Sequence, residues 1–109
     1  MHLDEPAVDE LTLAGVMAAL SDPARVAIVR TLGFDGECAC GTFELGVSKA
    51  TRSHHLRVLR EAGLTHTRVD GTHRYVSLRR DDVEARFPGL LGAVLTAAER
   101  EAAASAARA

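Results

Sequence analysis

The sequence lacks several residue types, and each absence limits what the chain can be. Its 109 residues include no tryptophan, asparagine or glutamine, a single lysine and two cysteines. No apolar run approaches the roughly 20 residues that a membrane-spanning helix requires. The first residues, MHLDEPAVDELT, lack the basic and then apolar order of a secretory signal. Because Cys38 and Cys40 are too close in sequence to cross-link a fold, we expect reduced thiols in a cytoplasmic protein with no membrane partner.

The charged residues that are present divide the chain into three segments of different sign. Residues 1–46 carry two basic and eight acidic side chains, whereas residues 47–80 carry eight basic and two acidic ones. Residues 81–109 carry three basic and five acidic side chains, which gives the net charge of −2 for the chain. Four of the five histidines also lie in the middle segment. A basic segment in an acidic chain indicates contact with a polyanion, although a solvated basic surface would show the same pattern.

Apolar spacing and helix-start signals predict the first half of the fold. The spacing predicts a first helix over residues 9–20. A cap at Asp22, or at the serine before it, favours a second helix that begins at Pro23 and that Gly33 and Gly36 are expected to break. The short segment CGTFELG is compatible with two further turns of helix.

The middle of the chain predicts a capped helix followed by a β-hairpin. Ser48 is typical of a helix cap and Gly63 of a helix stop, so we expect a helix between them. After Gly63 the apolar residues tend to alternate, which predicts strands in place of a helix. The pair Asp70-Gly71 is a strong hairpin signal within residues 64–78.

A short helix in RDDVEARF and a longer helix over residues 89–107 complete the predicted order. This order predicts a mainly α fold with a β-hairpin, a winged helix-turn-helix that forms one domain over residues 1–109. Residues 38–62 are expected to form the helix-turn-helix and residues 64–78 the wing.

A helix in this position can enter the major groove, with the residues near its N-terminus facing the base edges. The candidate DNA-binding residues are Ser48, Lys49, Ala50, Thr51, Arg52, His54 and Arg57 on the helix and Arg68, His73 and Arg74 on the wing. We expect His55 to be partly buried and His54 to lie nearer the DNA. Without asparagine or glutamine, the expected base contacts are guanine through Lys or Arg and thymine methyl groups through Ala50 or Thr51.

Four stretches, ALSDPARVAIVRTL, ECACG, GVSKATRSHHLRVLREAGL and GTHRYVSL, resemble the ArsR/SmtB family of bacterial repressors. The resemblance implies a homodimer that forms through its first and last helices, residues 9–20 and 89–107, and that binds double-stranded DNA at a near-palindromic operator. It further implies repression of transcription and release from DNA when an effector of unknown identity binds. Arg52 departs from the family pattern, which commonly has an aliphatic residue there. We expect its stem to pack inward and its head to reach toward phosphate.

Cys38 and Cys40 occupy the place of a Cys-x-Cys pair in thiolate-sensing members of that family. A thiophilic metal or metalloid is therefore one candidate ligand, and no other cofactor is implied. The third cysteine of the arsenic-type pattern would fall at or beside Phe43 and is absent. Thiol redox sensing and simple packing are the other two interpretations of the pair.

No catalytic set is recognisable in the sequence. It pairs no nucleophile with a positioned base and contains no glycine-rich phosphate loop, so we do not expect an enzyme. The main expectation is a sequence-specific DNA-binding transcriptional regulator, and the alternative is a winged helix that docks a protein partner without binding DNA. The two differ in salt dependence, because added salt weakens phosphate contacts steeply and apolar docking only slightly.

Overall fold

A computed structural model of the chain describes residues 5–108, so residues 1–4 and 109 of the predicted domain lie outside the description. The described part consists of helices packed around a small antiparallel sheet, which confirms the predicted mainly α fold with a β-hairpin. No helix in this range is both long and apolar enough to cross a membrane. The helices are α1 (Leu13–Ala19), α2 (Pro23–Asp35), α3 (Lys49–Glu61), α4 (Arg80–Arg86) and α5 (Leu90–Arg108), and the strands are β1 (Cys38–Ala39), β2 (Thr65–Asp70) and β3 (His73–Leu78).

Helix α1 is shorter than the sequence predicts. The prediction of a helix from residue 9 is wrong because Val8–Glu10 form a separate 3-10 turn and Leu11 is extended and buried in the core. The carbonyl oxygen of Leu11 accepts a hydrogen bond from Arg86 Nε at 2.9 Å. Thr12 then caps α1, with its Oγ1 accepting from the Gly15 amide at 3.0 Å. Tertiary contacts of Leu11 therefore set the start of this helix.

Helix α2 begins where the sequence predicts and ends at Gly36, the second of the two expected breaks. The Asp22 carboxylate accepts from the Ala24 amide at 2.8 Å, and Pro23 occupies the first helical position. Gly33 does not end the helix but lies inside it, against Leu95 of α5. A Cβ atom added at Gly33 would lie 2.6 Å from Leu95 Cδ2, so this glycine lets α2 and α5 approach closely.

The sheet contains one strand that the sequence does not reveal. Its order is β1-β3-β2, with all neighbours antiparallel, and Cys38 of β1 pairs with Val76 of β3. The predicted two turns of helix in CGTFELG are wrong, since a single 3-10 turn, Cys40–Thr42, follows β1. Pairing of the backbone with β3 and the glycines in this stretch both compete with a helix here. The predicted hairpin is confirmed, with a two-residue turn between Asp70 and His73.

Helix α3 ends in a tight stop that leads directly into the wing. The amide of Leu64 donates to the Leu59 carbonyl at 3.1 Å, and the amide of Gly63 donates to the Arg60 carbonyl at 3.0 Å. This is the Schellman pattern, which needs a left-handed residue, and Gly63 has φ +86°. A Cβ atom at Gly63 would also lie 2.7 Å from Leu11 Cδ1, so the position requires glycine for two independent reasons.

The core joins all the helices to the sheet. Its fully buried members include Val16, Ile28, Leu32, Leu59, Leu64, Val76 and Val83. Leu91 of α5 is also buried and Leu95 is half-buried, so these two residues pack within the subunit. Leu13 and Met17 of α1 remain more than half exposed. Apolar surface therefore remains uncovered on α1, and Leu90 and Val94 of α5 line a groove beside it.

The segment before α1 is fastened to the wing and to α4. The two carboxylate oxygens of Glu5 lie 2.8 Å from His66 Nδ1 and 3.0 Å from the Thr67 amide, both on strand β2. Arg79 Nη1 donates to the Pro6 carbonyl at 2.7 Å. These contacts hold the extended segment against the outer edge of the sheet.

Candidate nucleic-acid interface

The N-terminus of α3 presents small and basic side chains to solvent. Ser48 Oγ accepts from the Thr51 amide at 3.1 Å and donates to Thr51 Oγ1 at 3.0 Å, so the cap and Thr51 hold each other in place. Lys49 and Ala50 are exposed, and the first turn contains no acidic residue. A cation in the first turn opposes the helix macrodipole and is disfavoured by roughly 0.3–1 kcal/mol, which favours an anionic partner at this position.

A groove between α3 and β3 brings together residues that are far apart in the sequence. Its lining residues are Ala50, Ser53, His54, Arg57 and Arg60 of α3 and Arg74 of β3. The structure thus places four of the candidate DNA-binding residues along one groove. Ser53 and Arg60 also line the groove but are not among the candidate residues, although Ser53, Arg57 and Arg60 follow the four-then-three spacing of one helix face.

The two neighbouring histidines of α3 have different environments. His55 is buried, 7% exposed, whereas His54 is exposed beside the groove, as expected. Arg25 Nη1 lies 3.1 Å from His55 Nδ1, and Arg25 Nε donates to the Ala19 carbonyl at 2.6 Å. A guanidinium can only donate, so Nδ1 accepts and the ring proton lies on Nε2. Through Arg25, His55 therefore links the middle of α3 to the end of α1.

The wing presents its basic residues on two opposite faces. Residues paired across antiparallel strands share a face, and successive residues alternate. Arg74 therefore lies on the same face as the buried Val76, whereas Arg68 and His73 share the outer face with Tyr75. Of the three wing candidates, the structure brings only Arg74 into the groove beside α3.

Arg68 is held by an ion pair on that outer face. Its Nη2 and Nε donate to the two Glu37 oxygens at 2.8 and 3.2 Å, and its guanidinium carbon lies 4.5 Å from the centroid of the Tyr75 ring. The hydrogen bond from Arg68 lowers the pKa of Glu37 and raises that of the guanidinium. Much of the Arg68 charge is therefore compensated within the subunit.

Neither of the two cysteines is among the residues that line the groove. Both are half-buried against the core, and Cys38 Sγ lies 3.4 Å from the Gly36 carbonyl oxygen. Burial raises the pKa of both thiols, while the guanidiniums of Arg74, Arg52 and Arg60 partly offset the effect at Cys40. Arg52 is half-buried and close enough to influence this thiol.

The donor set around the cysteines does not fit a complete soft-metal site. Across residues 5–108 no group of three histidine, cysteine or acidic side chains is placed to hold a metal ion. Two protonated thiols give at most two ligands after deprotonation, whereas soft metals in closed protein sites commonly take four.

Several known proteins are similar to this chain in sequence and in fold. A model for bacterial regulatory proteins of the ArsR family matches residues 22–67. An uncharacterized HTH-type transcriptional regulator, YceK of Bacillus subtilis (strain 168), is 45% identical over 86 residues, covering 76% of this chain and 86% of the relative. A cadmium resistance transcriptional regulatory protein, the CadC homolog of Staphylococcus aureus, is 40% identical over 76 residues, covering 68% of this chain and 63% of the relative.

Structural similarity agrees with these sequence matches. The crystal structure of the transcriptional repressor BigR from Xylella fastidiosa superposes with a TM-score of 0.61 and 31% sequence identity, over 77% of this chain and 83% of that one. The residues that the family model matches contain α2, the capped helix α3 and the start of β2. The chain therefore belongs to the ArsR family of bacterial regulatory proteins and is a winged helix-turn-helix transcriptional regulator.

Proposed function

We propose that the protein is a homodimeric, sequence-specific repressor that leaves its operator when an effector binds. One observation carries the proposal for DNA binding: Ala50, His54 and Arg57 of α3 share a groove with Arg74 of the wing. Five of the eight cations of residues 47–80 lie on α3 or line this groove: Lys49, Arg52, Arg57, Arg60 and Arg74. Phosphate contacts from these cations would fix the register of α3 on the duplex.

In this proposal the N-terminal turn of α3 reads bases from the major groove. Lys49 donates to guanine, the methyl group of Ala50 contacts thymine, and the head of Arg52 reaches toward a phosphate. The Ser48 hydroxyl donates its only proton to Thr51 Oγ1, so the Thr51 hydroxyl is the one that is left to donate to a phosphate oxygen. Two copies of α3 would lie about one helical turn of DNA apart, on the two halves of a near-palindrome.

DNA binding is tested by removing two cations from α3. We expect Lys49→Ala combined with Arg57→Ala to weaken operator binding by about 1–3 kcal/mol, because guanine or phosphate contacts are lost. Gel-shift titration of a duplex selected from the host genome measures the change, and Arg108→Ala at the exposed end of α5 is the control. Equal retention of wild type and double variant would contradict the role of α3. An affinity for the duplex that does not change with salt concentration would favour the protein-docking alternative.

The proposed dimer covers the apolar surface that α1 leaves exposed. A groove between the start of α2 and α5 continues this surface, and Met17, Leu20, Val26, Leu90 and Val94 line it. Burial of such side chains contributes about 25 cal/mol per Å². We expect Met17→Asp to convert the dimer to a monomer in sedimentation experiments, whereas Ala85→Asp on the exposed face of α4 does not. A monomeric wild type would contradict this assignment.

For the effector, we propose that Cys38 and Cys40 act as packing residues and not as metal ligands. Their burial, their raised pKa values and the incomplete donor set support this choice. Titration of the reduced protein with a thiophilic metal, followed by thiolate absorbance, is the test. A stoichiometric charge-transfer band would overturn the proposal and favour a metal sensor.

A further inference from the structure

Three of the four cations of α3 have no acceptor in the part of the subunit that the structure describes. Six arginines outside α3 meet a carbonyl or carboxylate oxygen: Arg25, Arg30, Arg68, Arg79, Arg80 and Arg86. On α3, Arg57 forms an ion pair with Glu61 at 3.8 Å, whereas Lys49, Arg52 and Arg60 contact no acceptor within residues 5–108. The acceptors for these side chains are therefore not supplied by the described part of the subunit.

Arg60 is the most unusual of these residues, because part of its donor set is buried. Its Nε atom is shielded from solvent and has no hydrogen-bond partner within residues 5–108. A buried donor without a partner costs free energy, so native proteins contain few of them. Arg60 lines the groove together with Arg57 and Arg74, and the described residues that line it include no acidic side chain.

The positive charge of these arginines also affects a neighbouring thiol. The positive charges of Arg74, Arg52 and Arg60 each lower the pKa of the Cys40 thiol against the effect of burial, so all three act on the same region of the subunit. A phosphate in the groove would be attracted by the positive charges of the arginines that line it. Arginine suits such a role because its planar fork matches the oxygens of a phosphate.

We propose that this groove binds a single phosphate of the DNA backbone, shared between Arg60 of α3 and Arg74 of β3. The inference rests on the proposed DNA binding and deepens it by naming a contact that joins helix and wing. Because a phosphate carries no sequence information, the contact positions the duplex and does not discriminate between bases. Ser53 and His54, at the rim, complete the polar lining.

The first test replaces Arg60 by an uncharged side chain of similar length. We expect Arg60→Met to weaken binding about tenfold or more, equally on the operator and on a random duplex. The slope of log affinity against log salt should fall by about 0.9, the value for one phosphate. Arg108→Met removes the same charge far from the groove and should change neither quantity, and Arg60→Lys should restore most of the slope.

The stability of the Arg60→Met variant distinguishes phosphate binding from a purely structural role of Arg60. If Arg60 only supported the fold, Arg60→Met would lower the unfolding midpoint in urea. Since its buried Nε has no partner, we expect the midpoint of Arg60→Met to be equal to that of wild type or higher. A lowered midpoint together with unchanged binding would overturn the inference.

The second test changes the DNA. Duplexes that carry one neutral methylphosphonate at each successive position locate the phosphate in question. At one position per half-site, the methylphosphonate should weaken binding by the wild type. At that same position it should cause no further loss for Arg60→Met, because both changes remove the same contact. Additive losses at every position would refute the shared contact. If the α3 double variant loses binding while Arg60→Met does not, only the present inference fails, and if wild type binds no duplex, the proposed function itself fails.

Discussion

Replacement of Gly63 by alanine tests how the end of the recognition helix is built. Gly63 closes α3 with φ +86°, and the position of its missing Cβ lies 2.7 Å from both Leu11 Cδ1 and Cγ. Alanine would meet two separate penalties, an unfavourable left-handed backbone and an overlap with a buried side chain. The Leu11 side chain cannot move away freely, because it is only 1% exposed.

The two penalties set the expected magnitude. A left-handed backbone costs a non-glycine residue about 1–2 kcal/mol, and overpacking of a filled core costs about 1–3 kcal/mol. Their sum is about 2–5 kcal/mol, against a total stability of about 5–15 kcal/mol for a typical domain. In a domain of about 100 residues, 1 kcal/mol corresponds to about 4 °C, so Tm should fall by roughly 8–20 °C.

Thermal unfolding at one fixed protein concentration measures this loss, and Gly46→Ala provides the matched control. Gly46 has φ +67° but nothing lies within 4 Å of its Cβ position, so only the backbone penalty applies there. Gly63→Ala should therefore lower the free energy of unfolding more than Gly46→Ala does, and the difference should equal the cost of the overlap with Leu11. In a Leu11→Ala background that excess should shrink, because the clashing atoms are gone. Equal losses at Gly63 and Gly46 would refute the argument.

Three further predictions concern polar contacts. Arg25→Met should lower the free energy of unfolding by about 1.5–3 kcal/mol in urea titrations, because the α1 carbonyl and His55 both lose a charged donor; a loss under a few tenths of a kcal/mol would contradict this role. Glu37→Gln should reduce the free energy of unfolding slightly at neutral pH. The difference from wild type should vanish as the pH falls through the lowered pKa of Glu37, because a protonated carboxyl no longer pairs with Arg68. A difference that does not depend on pH would count against the pair. Burial raises the pKa of Cys40, so iodoacetamide should modify it more slowly at neutral pH in the native protein than in urea, and equal rates would disprove the protection.

Helix boundaries were predictable from the sequence wherever the signal was local. Caps at Asp22 and Ser48 and the stop at Gly63 act within one turn of the residues that they fix. Two errors arose where distant contacts decide the structure. Leu11 interrupts the expected first helix because it packs beneath Gly63, and β1 forms because β3 provides a partner across a long separation in sequence. Neither contact leaves a periodic pattern in a short segment.

The candidate interface was predictable in its location and less so in its membership. The excess of cations in the middle segment correctly indicated α3 and the wing as a basic region. The sequence did not indicate that Arg68 pairs with Glu37, 31 residues earlier, or that the hairpin register turns Arg74 and Arg68 to opposite faces. Register and pairing between elements arise only in the assembled fold.

The carboxylate of Glu5 has a consequence beyond holding the first residues in place. Strand β2 is an outer strand of the sheet, and a bare outer strand offers its amides to strands of other molecules, which is a route to aggregation. Glu5 occupies the Thr67 amide and sets a negative charge beside it. A truncated chain that begins after Pro6 would lose this shield, so an expression variant shortened at that point should be more prone to form intermolecular β-structure.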